Sequence, residues 1–321
     1  AASVTLTGQA VIKFSNELIK EFIKKEAPLI TDLELEECIV YNDTDSSYVS
    51  ITPLVNNGLK FLDGDDIHQD THDKIQEIEN YINDGVKKWA KKALLSKDSR
   101  FIFKRECIAD VGVFLQKKRY VMHILDDEGI KENKFKYTGV EVVRTTMPNA
   151  IKPYAKEIIE TMLSTQSLTK TNKVLNETYD IFKELKPEEL AFVMGVRGYE
   201  KYAVNCNEFN TVKSMPIHVK SAYFYNLLLT KLKTGNKYEE MSSGDKVRYM
   251  YVEKPNKYGL DSIGFKYSYP SEFQEVFKVD YDKMFEKIIF QGIERFYDCV
   301  GWRIRKPADN VTVELFDLFS K

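Results

Sequence analysis

The chain has 321 residues, enough for two domains with a core each. Hydrophobic residues make up 43% and charged residues 30%, no apolar run approaches the roughly 20 residues of a membrane span, and Ala1 to Thr7 carry neither a basic region nor an apolar one, so neither a membrane-spanning helix nor a secretory leader is expected. The formal net charge is −2, which lacks the basic balance of many nucleic-acid binders, yet the charge is segregated. Lys87, Lys88, Lys91, Lys92, Lys104, Arg105, Lys117, Lys118 and Arg119 cluster, while acidic residues gather at 32–37, 63–70 and 126–128. That distribution is compatible with a basic groove on a near-neutral protein.

In chain order, residues 5–25 read as an amphipathic helix, with Leu6, Ala10, Phe14, Leu18 and Phe22 at a spacing of four. The absence of an initiator Met before it suggests a processed or excised piece. The acidic run from Thr31 to Glu37 reads as a loop. Cys38 to Tyr41 is a short apolar strand, Asn42 to Asp45 a turn, and Ser47 to Ile51 a returning strand, which together make a β-hairpin with carboxylates at its tip. Residues 53–70 are loop-like and 73–95 helical, with Ile75, Ile78, Ile82, Val86 and Trp89 on one face. Strands are expected over 101–110 and 114–125, with β character again at 140–143. Helices follow at 149–163 and 171–185, then a short helix or turn over 188–196, a helix over 218–232, β-leaning stretches at 246–252 and 262–267, and a last helix over 281–300. The boundary between the β-rich and helical parts is placed near Arg144–Pro148. The four cysteines, Cys38, Cys107, Cys206 and Cys299, form no C-x-x-C pair, so neither a zinc ribbon nor a disulfide framework is expected.

Two segments carry chemistry. In Tyr41-Asn42-Asp43-Thr44-Asp45-Ser46, two carboxylates one residue apart on a tight turn share the same solvent space and repel unless a cation lies near. Hard divalent ions take such oxygen ligands together with substrate phosphates. Spacing alone favours a plain solvent-facing turn. In Gln116-Lys117-Lys118-Arg119-Tyr120, read as strand, alternation sets Lys118 and Tyr120 on one face and Lys117 and Arg119 on the other. An aromatic beside cations is a plausible grip on a nucleic-acid strand, against the bland reading of a solvated basic face. His68 and His72 are read as surface residues, His123 as a strand residue without special chemistry, and His218 and Lys220 as backbone-contacting or helix-start residues.

Tyr41 to Val49 resembles the third polymerase motif of family B DNA polymerases, written Y-G-D-T-D-S, with Asn42 where the family has Gly. Lys117 to Tyr120 resembles the K-K-R-Y element of the same family, and Gly139 to Pro148 its palm-to-thumb junction. Pro216 to Lys220 and Gly244 to Val247 resemble thumb segments of polymerases from large tailed bacteriophages. The resemblance covers essentially the whole chain. It implies an α+β fold, with the second half of the palm (an antiparallel sheet with helices) over 1–143 and a mostly helical thumb over 144–321. It implies DNA-directed DNA synthesis with Mg²⁺, in which Asp45 is the principal metal carboxylate and Asp43 its support. Lys117, Lys118, Arg119 and Tyr120 would hold primer–template, with Lys118 at the minor groove and Arg119 on phosphate, and His218 and Lys220 would touch DNA from the thumb. The tail residues Leu315, Phe316, Leu318 and Phe319 would bind a sliding clamp or dock on the chain's own thumb. A D-x-x-S-L-Y-P segment and the K-x-x-x-N-S-x-Y-G helix that binds the incoming deoxynucleoside triphosphate have no match here. A separate N-terminal polymerase half is therefore expected to complete the site. The rival reading is a non-catalytic DNA- and clamp-binding module. The expected location is the cytoplasm of an infected bacterial host.

Overall fold

A computed structural model describes residues 2–95 and 100–307. The chain forms two compact units, Ala1–Thr138 and Gly139–Lys321.

The first unit is built on two long helices. Helix α1 (Ala2–Glu26) buries Val11, Leu18, Ile19, Phe22 and Ile23, the stripe that a 3.6-residue period lays along one face. The acidic run is not a loop. Asp32–Glu37 forms helix α2, because Thr31 caps it and Glu34 reaches back to the Thr31 N–H, a capping box that outweighs like-charge repulsion in an exposed segment. Strands β1 (Ile39–Asp43) and β2 (Ser46–Val49) form the antiparallel hairpin. The stretch read as loop holds helix α3 (Thr52–Asn56), started by Pro53, and a small pair, β3 (Leu62–Asp63) and β4 (Asp66–Ile67). Helix α4 (Gln69–Ala93) is capped by His68, whose ring nitrogen accepts from the Asp70 N–H, so His72 lies in its first turn and not in a loop. Ile78, Ile82 and Val86 of α4 pack in one core with α1. The helices approach so closely at Gly85 that an added methyl would collide with both methyls of Leu18.

Strands β5 (Cys107–Gln116), β6 (Arg119–Asp127) and β7 (Ile130–Thr138) form an antiparallel meander in the order β5-β6-β7. Strand β5 begins later than the composition predicts. At Phe103 and Arg105 the side chains of α4 occupy the backbone groups instead of a ladder: Asn83 accepts from the Phe103 N–H and donates to its carbonyl, and Glu79 accepts from the Arg105 N–H. The Arg105 guanidinium pairs with buried Asp126, which also accepts from the Gly129 N–H and so fixes the β6–β7 turn.

The second unit opens with a single 3-10 turn over Glu141–Val143, where the sequence suggested β structure. Val143 and Arg144 donate to the carbonyls of Val140 and Glu141, so these groups are spent locally. Helices α5 (Lys152–Thr165) and α6 (Leu168–Glu184) form an antiparallel pair. Helix α7 (Pro187–Leu190) is followed by strand β8 (Phe192–Gly195) and helix α8 (Tyr199–Ala203). Helix α9 (Ile217–Lys231) lies on the sheet formed by β8, β9 (Lys246–Tyr251) and β10 (Ser262–Phe265), ordered β10-β9-β8. The contact is tight at Gly264, where a Cβ would stand 2.8 Å from the Ser221 carbonyl oxygen and from a methyl of Val247. After helix α10 (Ser271–Gln274), helix α11 (Tyr281–Phe285) continues through a π-helical turn at Glu286–Phe290 into helix α12 (Gln291–Cys299), so the long final helix is present with a local bulge.

Candidate active site

The acidic hairpin is tighter than its sequence suggests. Asp43 pairs with Ser46 and Asn42 with Ser47, leaving Thr44 and Asp45 as the two-residue turn. Asn42 is a ladder residue, and the left-handed position falls to Thr44, at φ 43°. Asp45 donates its N–H to the Asp43 carbonyl at 2.5 Å, the Ser46 hydroxyl donates to the same carbonyl at 3.2 Å, and the Thr44 hydroxyl donates to Asp43 Oδ1 at 3.2 Å. These bonds set the tip. Asp45 is exposed, while the Asp43 side chain is 28% exposed.

The basic segment is not a continuous strand. Gln116 pairs with Arg119, so Lys117 and Lys118 form a two-residue turn between β5 and β6, with Lys118 at φ 61°. The predicted alternation through Lys117 and Lys118 therefore fails, because turn residues do not obey the pleat. Both lysines are exposed and Arg119 is half-buried.

An aromatic cluster brings the two segments together. Tyr41 and Tyr48, opposite one another on β1 and β2, pack with Phe114 and Tyr120 at ring separations of 5.0–6.1 Å. The Tyr48 and Tyr120 hydroxyls lie 2.7 Å apart. Burial, reinforced by that hydroxyl, pushes the Tyr48 phenol well above its ordinary range. The Lys118 backbone N–H donates to the Tyr41 hydroxyl at 3.1 Å, and its ammonium stands 3.3 Å from Asp43 Oδ1. Asp43, Lys118 and Tyr120 thus share one constellation. Tyr120 is buried in it, where the sequence suggested a residue facing a primer.

The remaining expected residues lie elsewhere. Lys220 binds both oxygens of Asp261, at 3.1 and 3.3 Å, and sits 5.4 Å over the Phe224 ring. His218 is half-buried, and burial lowers its pKa. His123, read as unremarkable, bonds Asp110 through Nδ1 at 2.8 Å and Asn133 through Nε2 at 2.7 Å. Cys38 is buried, whereas Cys299 is exposed. Leu315, Phe316, Leu318 and Phe319 lie outside the described residues. Sequence reasoning did not single out Tyr41, Tyr48 or Phe114 as a cluster. They lie on three different strands, and local sequence does not report which strands will meet.

Among the described residues, no group of three or more His, Cys, Asp or Glu side chains is placed to hold a metal ion. Asp43 and Asp45 offer hard oxygen donors of the kind Mg²⁺ takes, and two carboxylates are fewer than a full shell needs. No helix among the described residues is long and apolar enough to cross a membrane.

Residues 99–300 match the family model for DNA polymerase family B, and the chain belongs to that family. A DNA-directed DNA polymerase of Escherichia phage RB69 is 25% identical to it over 340 residues, an alignment taking in 99% of this chain. The chain spans 35% of the length of that relative. The acidic hairpin precedes the residues matched by the family model but lies within the span shared with the phage enzyme.

Proposed function

We propose that this chain is the C-terminal portion of a DNA-directed DNA polymerase, with the first unit as the second half of the palm and the second unit as the thumb. The observation that carries this reading is the meeting of two separate segments: the Asp43–Asp45 hairpin and the Lys117–Tyr120 turn join through the Lys118–Asp43 contact and one aromatic cluster. An isolated acidic turn has no need of such a partner. A site that must place a primer end beside a metal-binding carboxylate does.

On this reading Asp45 binds Mg²⁺ and Asp43 supports it. When bound, two such ions would activate the primer 3′-hydroxyl and steady the leaving pyrophosphate. Lys117, Lys118 and Arg119 hold primer–template, and Tyr120 acts by fixing the turn from within the cluster. His218 and Lys220 would approach DNA from the thumb, where a phosphate must compete with Asp261 for the Lys220 ammonium. The deoxynucleoside triphosphate pocket and the remaining metal ligands come from an N-terminal polymerase half. The Leu315–Phe319 tail is assigned to a sliding clamp, and the setting to the cytoplasm of an infected bacterial host.

Binding separates this from a non-catalytic module. Asp45→Ala is expected to leave primer–template affinity within about twofold by fluorescence anisotropy while abolishing Mg²⁺-dependent extension by the complete polymerase. An Asp45→Ala protein that extends primers normally would remove the catalytic reading.

A further inference from the structure

We infer that Asn16 is a positioning residue for the acidic turn: from α1 it clasps the β1–β2 hairpin through Asn42 and Ser47 and so fixes where Asp43 and Asp45 stand. The inference rests on the polymerase reading above. Its basis is a closed network of three side chains from three elements. Asn16 Nδ2 donates to Asn42 Oδ1 at 3.1 Å. Ser47 Oγ lies 2.8 Å from Asn42 Oδ1 and 2.8 Å from Asn16 Oδ1, so its single proton is shared between two amide oxygens. Asn42 and Ser47 face each other in the ladder, one pair before Asp43 and Ser46, so the clasp grips the last rung but one below the tip.

The clasp has a rigid side and a soft side. Helix α1 is anchored by Val11, Leu18, Ile19, Phe22 and Ile23 in the core of the first unit. The hairpin is a two-stranded sheet, an element marginal by itself. Neighbouring strand residues point to opposite faces. Tyr41 and Asp43 therefore meet Lys118 on one face, and Asn42 meets Asn16 on the other. The base of the hairpin is already seated against that core by Ile39 and Val49, so the clasp acts above it, on the rung next to the turn. Bonds between partly exposed polar groups add little to the stability of a unit with this core, so their loss should be felt at the turn rather than throughout.

The test uses the polymerase assembled from this chain and its upstream half, with single-turnover nucleotide incorporation as one readout. Asn16→Ala is expected to lower the maximal rate roughly 5- to 20-fold while the half-saturating triphosphate concentration and primer–template affinity stay within about twofold. Asn16→Ala combined with Asn42→Ala should be no slower than the slower single variant, because both remove the same link. Hydrogen exchange on this chain alone gives a readout independent of catalysis: exchange at residues 43–46 should quicken in Asn16→Ala while α4 stays protected. Unchanged rates, additive losses in the double variant, or faster exchange spread through α1 and α4 would each overturn the clasp. Asp45→Ala run beside these separates the two claims. If it retains extension, the polymerase reading itself is wrong; if it is dead while Asn16→Ala is normal, only the clasp is.

Discussion

At the scale of single residues, the Lys118 ammonium stands 3.3 Å from Asp43 with its side chain 62% exposed, a geometry in which an ion pair contributes about 0–1 kcal/mol. Its value is therefore not stability. Lys118→Met is expected to leave chemical denaturation nearly unchanged while lowering primer–template affinity roughly 3- to 10-fold and reducing the slope of log affinity against log salt by about one. An unchanged slope would mean that Lys118 neutralises no phosphate. His218 offers a pH test. Burial lowers its pKa below 6.5, so as pH falls through that value the unfolded chain takes up a proton that the folded unit resists, and stability drops. Denaturation of the wild type at pH 5 and pH 7.5 should show this loss, and His218→Gln should lessen it; equal pH dependence in both would contradict the assignment. The carboxylates and the basic residues were legible because their types and order are chemical signals. Asn16 was not, because a polar residue in an amphipathic helix looks solvated until a hairpin is placed beside it.

The elements follow the same division. The long helices α1 and α4 were legible because a buried stripe must repeat at the helical period. Helix α2 was missed because its acidic composition drew attention from Thr31 and Glu34, although their spacing is itself a helix-start signal. Residues 101–106 have strand composition, but their fate was decided by Asn83 and Glu79 of α4, and local sequence does not report such partners. The Lys117–Lys118 turn was missed for want of Gly or Asn, the usual occupants of a left-handed position. Gly85 shows tertiary packing opposing propensity. Alanine there gains about 1 kcal/mol of intrinsic helix preference, yet its methyl meets the Leu18 side chain in a packed interface. Gly85→Ala is expected to destabilise the first unit by about 1–3 kcal/mol in urea denaturation; a stabilised variant would show that α1 and α4 stand further apart than described.

Across the whole molecule, the chain folds as two compact units and spans 35% of the phage polymerase it resembles. The family was legible in the sequence from two ordered motifs, each weak by itself. What remained hidden was that these motifs touch, through the cluster of Tyr41, Tyr48, Phe114 and Tyr120 and through the contacts of Lys118 with Tyr41 and Asp43. On the proposed reading Asp43 and Asp45 would supply only part of a metal site, so the account requires ligands from outside this chain. The most direct test is primer extension with Mg²⁺, comparing this chain alone, this chain with the matching N-terminal polymerase half, and the same pair carrying Asp45→Ala. The account predicts extension only in the wild-type pair. Extension by the chain alone, or by the pair without Asp45, would contradict it.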